Sequence, residues 1–552
     1  MRYIKSILIL LTVAMLTSCS QSPTTVYLNG KIYSLDNNNS QFEAMAVRDG
    51  KIVETGTSAE IKDKYKSDEA IDLGGKTVLP GFIDMEGSIV EFAKNLGFIN
   101  FSNAKSIAEV QKIVEENAKK RNDGSWIVGY ALNELNFSED ELLAIDKSVL
   151  DKAAPNHHVY IVNITGDMVW ANSKLLQFLQ ITNLTPNPKD GEIEKNEKGE
   201  ITGLLFDAAV NIVKEKSPEI SKDDLSNLLQ TASKEVTRYG ITEIHDRTIN
   251  SGSIDIFRQL IDSNKFYVKI YGVLSVGDET FEEYLKRGIL VDYKDMLTVR
   301  SVSIDYDGAL NLQAASMKDS YKKEIRSTFQ YATDEEVESN FRKAIEKEFQ
   351  FCIKSVGDKA VHNNLNIIEK VLNEKKPKDA RTILEYTEFV QPSDISRFGT
   401  LGVIPSIRPE VTIDNLVTIG EYLPESNGNN LGMWNSLLQS SKYITAGTNF
   451  PYSAYISPIA LIHLLVNRQP LDTTINSIPN MNQKLSILEA VKAFTVYAAY
   501  AGFEEKTKGT LQKGKYADFV VLSDDIFTYD PKKIKDIQVL KTVINGKTVF
   551  SK

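Results

Sequence analysis

Residues 77–88 read TVLPGFIDMEGS, an apolar strand candidate that is interrupted by Pro80 and Gly81 and runs on to the polar side chains of Asp84, Glu86 and Ser88. Further strand-like runs follow along the chain and alternate with amphipathic helical stretches: Val159–Val162, Val302–Tyr306 and Phe351–Ser355. Alternation of strands and helices predicts a parallel sheet covered by helices. A chain of 552 residues suits one large barrel with a satellite domain.

One predicted helix is marked by its first residues and by its apolar face. Thr333 and Glu336 have the spacing of a capping box, in which each side chain binds the other residue's backbone N–H. Apolar side chains then recur at the helical period: Val337, Phe341, Ala344, Ile345 and Phe349. The pattern predicts a helix packed on the core just before a buried strand, in which Cys352 is expected as a buried thiol.

The two ends of the chain share a turn-rich β pattern. Asn29-Gly30, Asp49-Gly50 and Asn545-Gly546 each lie between apolar runs, which is the strongest short signal for a hairpin. We therefore expect one small β-sandwich built from residues 26–76 and 506–552. Residues 77–505 would then form the barrel, with a large insertion.

The N-terminus has the features of an export signal. Arg2 and Lys5 precede an apolar stretch, Ile7–Leu16, that is too short to span a bilayer. Residues 16–19 read LTSC and resemble a bacterial lipobox, which implies a signal peptide over 1–18, a lipidated Cys19 and a tether over 19–25. The expected location is the bacterial cell envelope, on the periplasmic or outer face. The alternative is an ordinary secretory signal in which Cys19 is incidental.

The charge composition argues against a nucleic-acid partner. The formal net charge is -10, and the sequence has no dense run of Lys and Arg. A nucleic-acid-binding surface needs a basic footprint, so no nucleic acid is expected. With only two cysteines, one of them expected to carry lipid, the chain has no disulfide framework. The expected partners are the membrane, through the anchor, and an unidentified small molecule or protein.

Several motifs carry a resemblance to a known family. Residues 78–84 resemble the first barrel strand of the amidohydrolase superfamily. Other stretches resemble amidohydrolase family 3, which includes N-substituted formamide deformylases: Trp126–Gly129, Trp170–Ser173, Thr202–Leu205, Gly240–Thr242, Asp307-Gly308, Gly357–Ala360 and Gly514–Asp518. The resemblance extends from about residue 26 to the C-terminus. It implies an α/β fold, a TIM-type (β/α)8 barrel with the β-sandwich, and hydrolysis of carbon–nitrogen bonds other than peptide bonds.

The same resemblance implies one or two divalent metals at the carboxyl ends of the barrel strands, held by imidazoles and carboxylates. In this chain the corresponding positions carry different side chains: Glu86, Ser88, Ser303, Lys354, Tyr386 and Asn449. Asp167 stands where the family has a histidine on the substrate side. None of the five histidines falls on a ligand position. We therefore expect no metal cofactor, and zinc only if the protein is an active hydrolase.

Two functional hypotheses follow. The leading one is a pseudoenzyme, whose barrel binds a small ligand or a partner without metal-dependent hydrolysis. The alternative is a hydrolase of amides or formamides with an altered or metal-free site. Its candidate catalytic residues share the predicted mouth of the barrel: Glu86, Asp305, Glu385 and His245.

Each candidate also has a structural interpretation. Two carboxylates among Glu86, Asp305, Asp307 and Glu385 could act as acid and base. An ion pair between Lys354 and Glu86 that fills the space of the lost metal is the preferred alternative. A structural role is likewise favoured for His245, because a lone histidine makes a poor metal site.

Overall fold

The computed structural model describes residues 23–552 except 67–68, 190, 219, 312, 323–330, 454 and 472–478. The predicted signal peptide and Cys19 lie outside the described residues. Within the described ranges, no helix is long and apolar enough to cross a membrane.

The strands, in chain order, are β1 (Thr25–Leu28), β2 (Lys31–Tyr33), β3 (Gln41–Phe42), β4 (Ala44–Arg48), β5 (Lys51–Gly56), β6 (Glu69–Asp72), β7 (Thr77–Pro80), β8 (Phe82–Asp84), β9 (Ile99–Asn100), β10 (Trp126–Leu132), β11 (His158–Asn163), β12 (Met168–Ala171), β13 (Gly191–Lys195), β14 (Ile201–Asp207), β15 (Ile241–Asp246), β16 (Lys269–Ser275), β17 (Leu290–Tyr293), β18 (Leu297–Asp305), β19 (Gln350–Lys354), β20 (Ile383–Glu385), β21 (Ile404–Ile407), β22 (Thr445–Ala446), β23 (Phe519–Leu522), β24 (Val539–Ile544) and β25 (Lys547–Ser551).

The α-helices span Ser58–Lys64, Ile89–Leu96, Ile107–Ala118, Glu139–Leu143, Lys147–Ala153, Ser173–Phe178, Ala208–Lys214, Lys222–Thr237, Ser251–Asp262, Glu279–Arg287, Asp334–Glu346, Asp358–Lys375, Pro392–Leu401, Pro409–Tyr422, Trp434–Ser441, Pro458–Asn467, Ile487–Ala493 and Val496–Ala501.

Eight parallel strands form a nearly closed barrel in the order β8, β15, β16, β18, β19, β20, β21 and β22. A backbone hydrogen bond from Met85 N to Ala446 O, at 3.4 Å, brings the two ends of this sheet together. The strands are almost wholly buried, as expected for a parallel sheet that is covered on both faces. The predicted TIM-type barrel is confirmed.

A sandwich of two sheets is built from both termini. The C-terminal strand β23 pairs antiparallel with β7, with Phe519 opposite Pro80. The two sheets enclose one apolar core that includes Tyr27, Val78, Phe519 and Val543. The predicted β-sandwich is confirmed, but the expected boundary after residue 76 is wrong, because the strand Thr77–Pro80 pairs within the sandwich and the barrel begins at Phe82. Gly81 alone separates this strand from the barrel strand β8.

Gly81 is required by a close approach between strands. A Cβ at Gly81 would lie within 2.2–2.8 Å of the Thr242 side chain on β15. No side chain could fit there without moving the strand. The chain can therefore pass directly from the sandwich into the first barrel strand.

The insertion lies between β8 and β15. It forms a sheet with the order β13, β14, β12, β11, β10, β9. Its own buried clusters include Phe101, Trp170 and Leu205. The insertion therefore has a core of its own beside the barrel.

The predicted helix and thiol are both confirmed. Thr333 and Glu336 form the capping box of the helix Asp334–Glu346, and Val337, Phe341 and Ala344 are buried on its apolar face. Cys352 is buried inside the barrel, in a layer with Ile83, Ile383 and Ile404.

Candidate functional site

A cavity of about 630 Å³ opens at the carboxyl ends of the barrel strands, where this fold places its active sites. Six of the residues singled out from the sequence line it: Glu86, Ser88, Ser303, Asp305, Tyr386 and Asn449. Lys354 and Glu385 lie at its wall, in contact with these residues. His245 does not reach the mouth, because it is buried one layer deeper on β15.

The centre of the mouth is held by Arg247, which the sequence analysis missed. Its Nη2 donates to Ser303 Oγ at 2.8 Å and to Asp305 Oδ1 at 2.6 Å, and its Nε lies 3.2 Å from Glu385 Oε2. Burial acts against the charged guanidinium, but Glu385 and Asp305 overcome this and raise the pKa of Arg247. A cation with two carboxylates thus occupies the centre of the mouth.

The local sequence explains how Arg247 reaches this position. Side chains alternate along a strand, so Glu243, His245 and Arg247 share the interior face of β15 and its extension. Arg247 is the one of the three that stands past the strand end. This alternation was the available signal, but the family motifs do not mark the position.

Ser303 and Glu385 complete the same network. Ser303 Oγ donates to Glu385 Oε2 at 2.7 Å, between the strands β18 and β20. Glu385 is 4% exposed, so its charge depends on these contacts for compensation. Ser303 is one of the positions at which the resemblance implies a metal ligand, and here it supplies a hydrogen bond instead.

The predicted ion pair between Lys354 and Glu86 is wrong. Lys354 Nζ lies 3.7 Å from Asp305 Oδ2 and 4.9 Å from the centre of the Tyr386 ring. The register explains the difference, since Lys354 on β19 stands directly opposite Asp305 on β18. Glu86 follows β8, which lies four strands away from β19 in either direction around the barrel.

Two cationic neighbours lower the pKa of Asp305 and keep its carboxyl group ionised. Partial desolvation at the mouth acts against the carboxylate, but the charges of Arg247 and Lys354 hold the pKa of Asp305 down at about 2. A carboxylate held in this way is a poor proton acceptor near neutral pH. Asp305 therefore fits the role of a counter-ion better than that of a general base.

Glu86 has the opposite character. Burial raises its pKa to about 7, opposed in part by the charge of Arg408 and by a hydrogen bond from Ser406 Oγ to Oε1 at 2.8 Å. Within the part of the chain that the structure describes, its buried Oε2 has no hydrogen-bond partner. Glu86 also lines the cavity, so it offers a titrating carboxyl group to anything bound there.

Tyr386 has a strained backbone and a ring between cations. Its φ of +70° is rare for a bulky residue, and strain of this kind concentrates at functional sites. The ring centre lies 3.5 Å from the guanidinium carbon of Arg408, 5.7 Å from that of Arg247 and 4.9 Å from Lys354 Nζ. Such contacts stabilise cations at the negative face of the ring. The tyrosine thus replaces a metal-binding histidine with a surface for cations.

Retained aspartates of the family pattern have structural partners. Asp84 accepts hydrogen bonds from the backbone N–H groups of Glu86 (3.1 Å) and Thr448 (3.0 Å). Asp307 is fully buried and accepts from the N–H groups of Val356 (2.8 Å), Gly357 (2.9 Å) and Ser316 (2.8 Å). These carboxylates fix loops at the strand ends. Their presence therefore does not require a working metal site.

Asp167 lies in the insertion, after β11. Its Oδ1 accepts hydrogen bonds from Asn163 Nδ2 at 2.7 Å and from Thr165 Oγ1 at 2.6 Å. These bonds hold a turn of the insertion together. The position of the family's substrate-side histidine thus has a local structural role here.

The residues at the mouth do not fit the family's metal. Zinc of the catalytic type needs at least three nitrogen, sulfur or carboxylate donors around one point. Here Glu86, Asp305 and Glu385 are the carboxylates, and Arg247 already binds both Asp305 and Glu385. Ser88, Lys354 and Asn449 stand at further ligand positions, and an ammonium group repels a cation. A metal at this point would have to displace Arg247.

Comparison with known proteins agrees with the fold. The model of the amidohydrolase family matches residues 69–550. Protein LONG AFTER FAR-RED 3 of Arabidopsis thaliana is 28% identical over 537 residues, which cover 95% of this chain and 91% of that protein. The putative amidohydrolase YtcJ of Bacillus subtilis (strain 168) is 27% identical over 540 residues, 96% of this chain and 99% of the relative.

Two further matches extend the comparison. N-substituted formamide deformylase of Arthrobacter pascens is 24% identical over 548 residues, 96% of this chain and 98% of the relative. A solved structure, an uncharacterized metal-dependent hydrolase from Pyrococcus horikoshii OT3, superposes with a TM-score of 0.76 at 20% identity and covers 92% of this chain and 99% of its own. The resemblance inferred from the motifs is thus confirmed: the chain belongs to the amidohydrolase family.

Proposed function

We propose that this family member is a pseudoenzyme whose barrel mouth binds a small polar molecule without metal-dependent hydrolysis. The observation that supports this most is the Arg247 guanidinium, bonded to Asp305 and close to Glu385, at the centre of the mouth. The positive charge of the Arg247 side chain stands where a metal ion would act as a Lewis acid. It does not supply a metal-activated water.

The free groups at the mouth indicate the chemistry of the ligand. Glu86 offers an unpartnered carboxyl oxygen, and Lys354 offers an ammonium group whose contact with Asp305 is long, at 3.7 Å. Ser88 and Asn449 add uncharged polar groups to the wall. A molecule with both a hydrogen-bond donor and an anionic or carbonyl group fits this set. Amino acids and their N-acyl or N-formyl derivatives belong to this class.

A specific observation favours the alternative, a hydrolase of amides or formamides. Glu86 has a pKa raised to about 7, which suits a general acid or base at neutral pH. One relative, 24% identical, is an N-substituted formamide deformylase. The alternative still needs a group that polarises the scissile carbonyl, and Arg247 is already engaged by Asp305, Glu385 and Ser303. We therefore place it second.

The proposal includes a place in the cell. Residues 16–19 support a lipid anchor on Cys19, which would hold the barrel at a bacterial membrane in the cell envelope. The acidic composition fits a protein with no nucleic-acid partner.

The test is a paired measurement of binding and turnover. Chelator-treated protein is titrated by calorimetry with a panel of amino acids and N-formyl amines, and release of amine or formate is measured on the same samples. We expect binding without turnover, weakened in Glu86→Gln and unchanged in Glu283→Gln, an exposed control carboxylate. Metal-independent turnover that Glu86→Gln abolishes would establish the alternative. The same assays on untreated protein complete the comparison, and turnover that is present there and disappears on chelation would overturn the metal-free account of the mouth.

A further inference from the structure

A second polar cluster lies inside the barrel, below the mouth. Glu243 and His245 project inward from β15, and both are 2% exposed. Glu504 comes from the segment that follows the helix Val496–Ala501 on the way to the sandwich. One carboxylate oxygen of each glutamate and one ring nitrogen of His245 all lie within 4.8 Å of one another. Two distant parts of the sequence, the strand β15 and the segment around Glu504, thus converge on one point.

The atoms that face this point have no hydrogen-bond partner among the described residues, although His245 Nε2 lies 3.5 Å from Glu243 Oε1. Glu243 Oε1, His245 Nε2 and Glu504 Oε2 are each buried, and among the described residues none has a hydrogen bond of acceptable geometry. The His245 ring is held by stacking on Tyr271, with ring centres 4.2 Å apart and planes 12° apart. Leaving a buried polar atom without a partner is costly in free energy. Three such atoms at one point indicate a missing partner.

The charges at this point are also unbalanced. Lys508 Nζ donates to Glu243 Oε2 and lies 3.0 Å from Glu504 Oε1, so two carboxylates share one ammonium group. A second buried cation, Lys269, is paired with Asp518 at 2.6 Å. An uncompensated charge in a buried cluster is costly. Lys508 balances only one of the two carboxylates, so the remaining oxygens would attract a cation to the space beside His245 Nε2.

Gly502 keeps space open beside the same three atoms. A Cβ at this position would lie 3.2 Å from His245 Cε1, 3.4 Å from His245 Nε2 and 3.3 Å from Glu504 Oε2. The backbone there has an ordinary φ of -79°, so the glycine is not needed for its conformation. A larger side chain at position 502 would fill the space beside the triad.

We propose that Glu243, His245 and Glu504 bind one divalent transition metal of the zinc class. One imidazole and two carboxylates are a donor set that zinc accepts, with a fourth position for water. The site is distinct from the mouth: Arg247 lies two residues further along the same strand, about 6–7 Å away at the rise of a strand. The metal joins the segment around Glu504 to the barrel strand β15, so its role is structural.

The experiment uses the full chain after removal of metal. Cobalt(II) is added back as a visible probe, bound metal is counted by mass spectrometry, and the melting temperature is recorded with and without zinc. We expect one equivalent of metal, a cobalt absorption spectrum of low-coordinate type and a melting temperature that falls on chelation and returns with zinc.

Variants locate the site. His245→Asn and Glu504→Gln should lose the cobalt spectrum, and Gly502→Ala should weaken cobalt binding by about 10–100-fold, as for other changes close to metal ligands. Glu505→Gln is the matched control, since Glu505 pairs with Arg381 at 2.9 Å. If a ligand variant does not fold, the stoichiometry and spectrum of the unaltered chain still decide.

Two results would overturn the proposal. One is failure of the unaltered chain to bind cobalt or zinc, with a melting temperature that chelation leaves unchanged; a proton then fills the cluster. The other is a cobalt spectrum that His245→Asn leaves intact and Glu385→Gln removes, which places the metal at the mouth.

Discussion

Arg247 Nη2 donates to Asp305 Oδ1 at 2.6 Å, while Nε of the same guanidinium lies 3.2 Å from Glu385 Oε2. One side chain from the end of β15 therefore connects residues of β18 and β20 across the mouth of the barrel. Arg247 and the nearby Lys354 together balance the two carboxylates, so both cations at the mouth belong to the protein. This relationship explains how the barrel keeps the architecture of its family while the metal-ligand positions carry other side chains.

Removal of the Arg247 charge should destabilise the folded protein. Arg247→Met leaves Glu385 buried without its partner, and breaking one side of a buried pair costs about 3–5 kcal/mol. We expect a loss of this size in the free energy of unfolding, measured in urea. Glu385→Gln in the Arg247→Met background should recover part of it. Simple addition of the two effects would show that the pair is not coupled.

Lys354 should contribute little to stability. Its contact with Asp305 is long and its partner is 46% exposed, and ion pairs of this type are worth about 0–1 kcal/mol. Lys354→Met is therefore expected to change the free energy of unfolding by less than about 1 kcal/mol. The double variant Lys354→Met, Glu86→Gln should show additive effects, because β19 and β8 lie on opposite sides of the barrel. A coupling well above the experimental error would restore the ion pair expected from the sequence.

Glu86 should make stability depend on pH. Its pKa is raised from 4.5 to about 7 in the folded protein, mainly by burial. The stabilising contribution of the neutral carboxyl group is fully present below pH 4.5 and is lost as pH rises through about 7. The loss amounts to about 3 kcal/mol. Glu86→Gln mimics the neutral form, so it should match the wild type at pH 4.5 and exceed its stability at pH 8.5.

The measurement is urea unfolding of both proteins across this pH range, compared as a difference. Asp246 also has a pKa raised by burial, to about 6, and the difference removes its contribution because both proteins contain it. An equal pH dependence in the two proteins would mean that Glu86 is ionised at neutral pH and would weaken both functional hypotheses that use it.

The lipid anchor is tested by one substitution. Cys19→Ala should move the protein from the membrane fraction to the soluble fraction, because the acyl chains that hold it would be absent. Metabolic labelling with a fatty-acid analogue provides the second readout. Unchanged partitioning of a correctly cleaved variant would remove the anchor from the account.

The sequence predicted the architecture well for a physical reason. Strand and helix periods, the capping box at Thr333 and the glycine turns at both ends are local signals, and each is confirmed by the structure. The sequence alone also shows that no histidine stands at the positions where the resemblance implies metal ligands, since this depends only on residue identity.

Side-chain contacts between different barrel strands could not be predicted from the sequence in the same way. Lys354 was paired with Glu86 in the sequence analysis because both replace metal ligands, but strand order places Asp305 beside Lys354. Arg247 was missed because no motif marks it. His245 looks isolated in the sequence because Glu504 lies more than 250 residues away and comes close to it only in the fold.

The central claim is that a protein cation, and no metal, occupies the centre of the barrel mouth. Crystals grown in excess zinc and measured at the zinc absorption edge locate every bound ion directly. The account predicts no anomalous peak between Glu86, Arg247 and Glu385, and Arg247 still bonded to Asp305. A peak at that point, with the Arg247 guanidinium displaced from Glu385, would contradict the account.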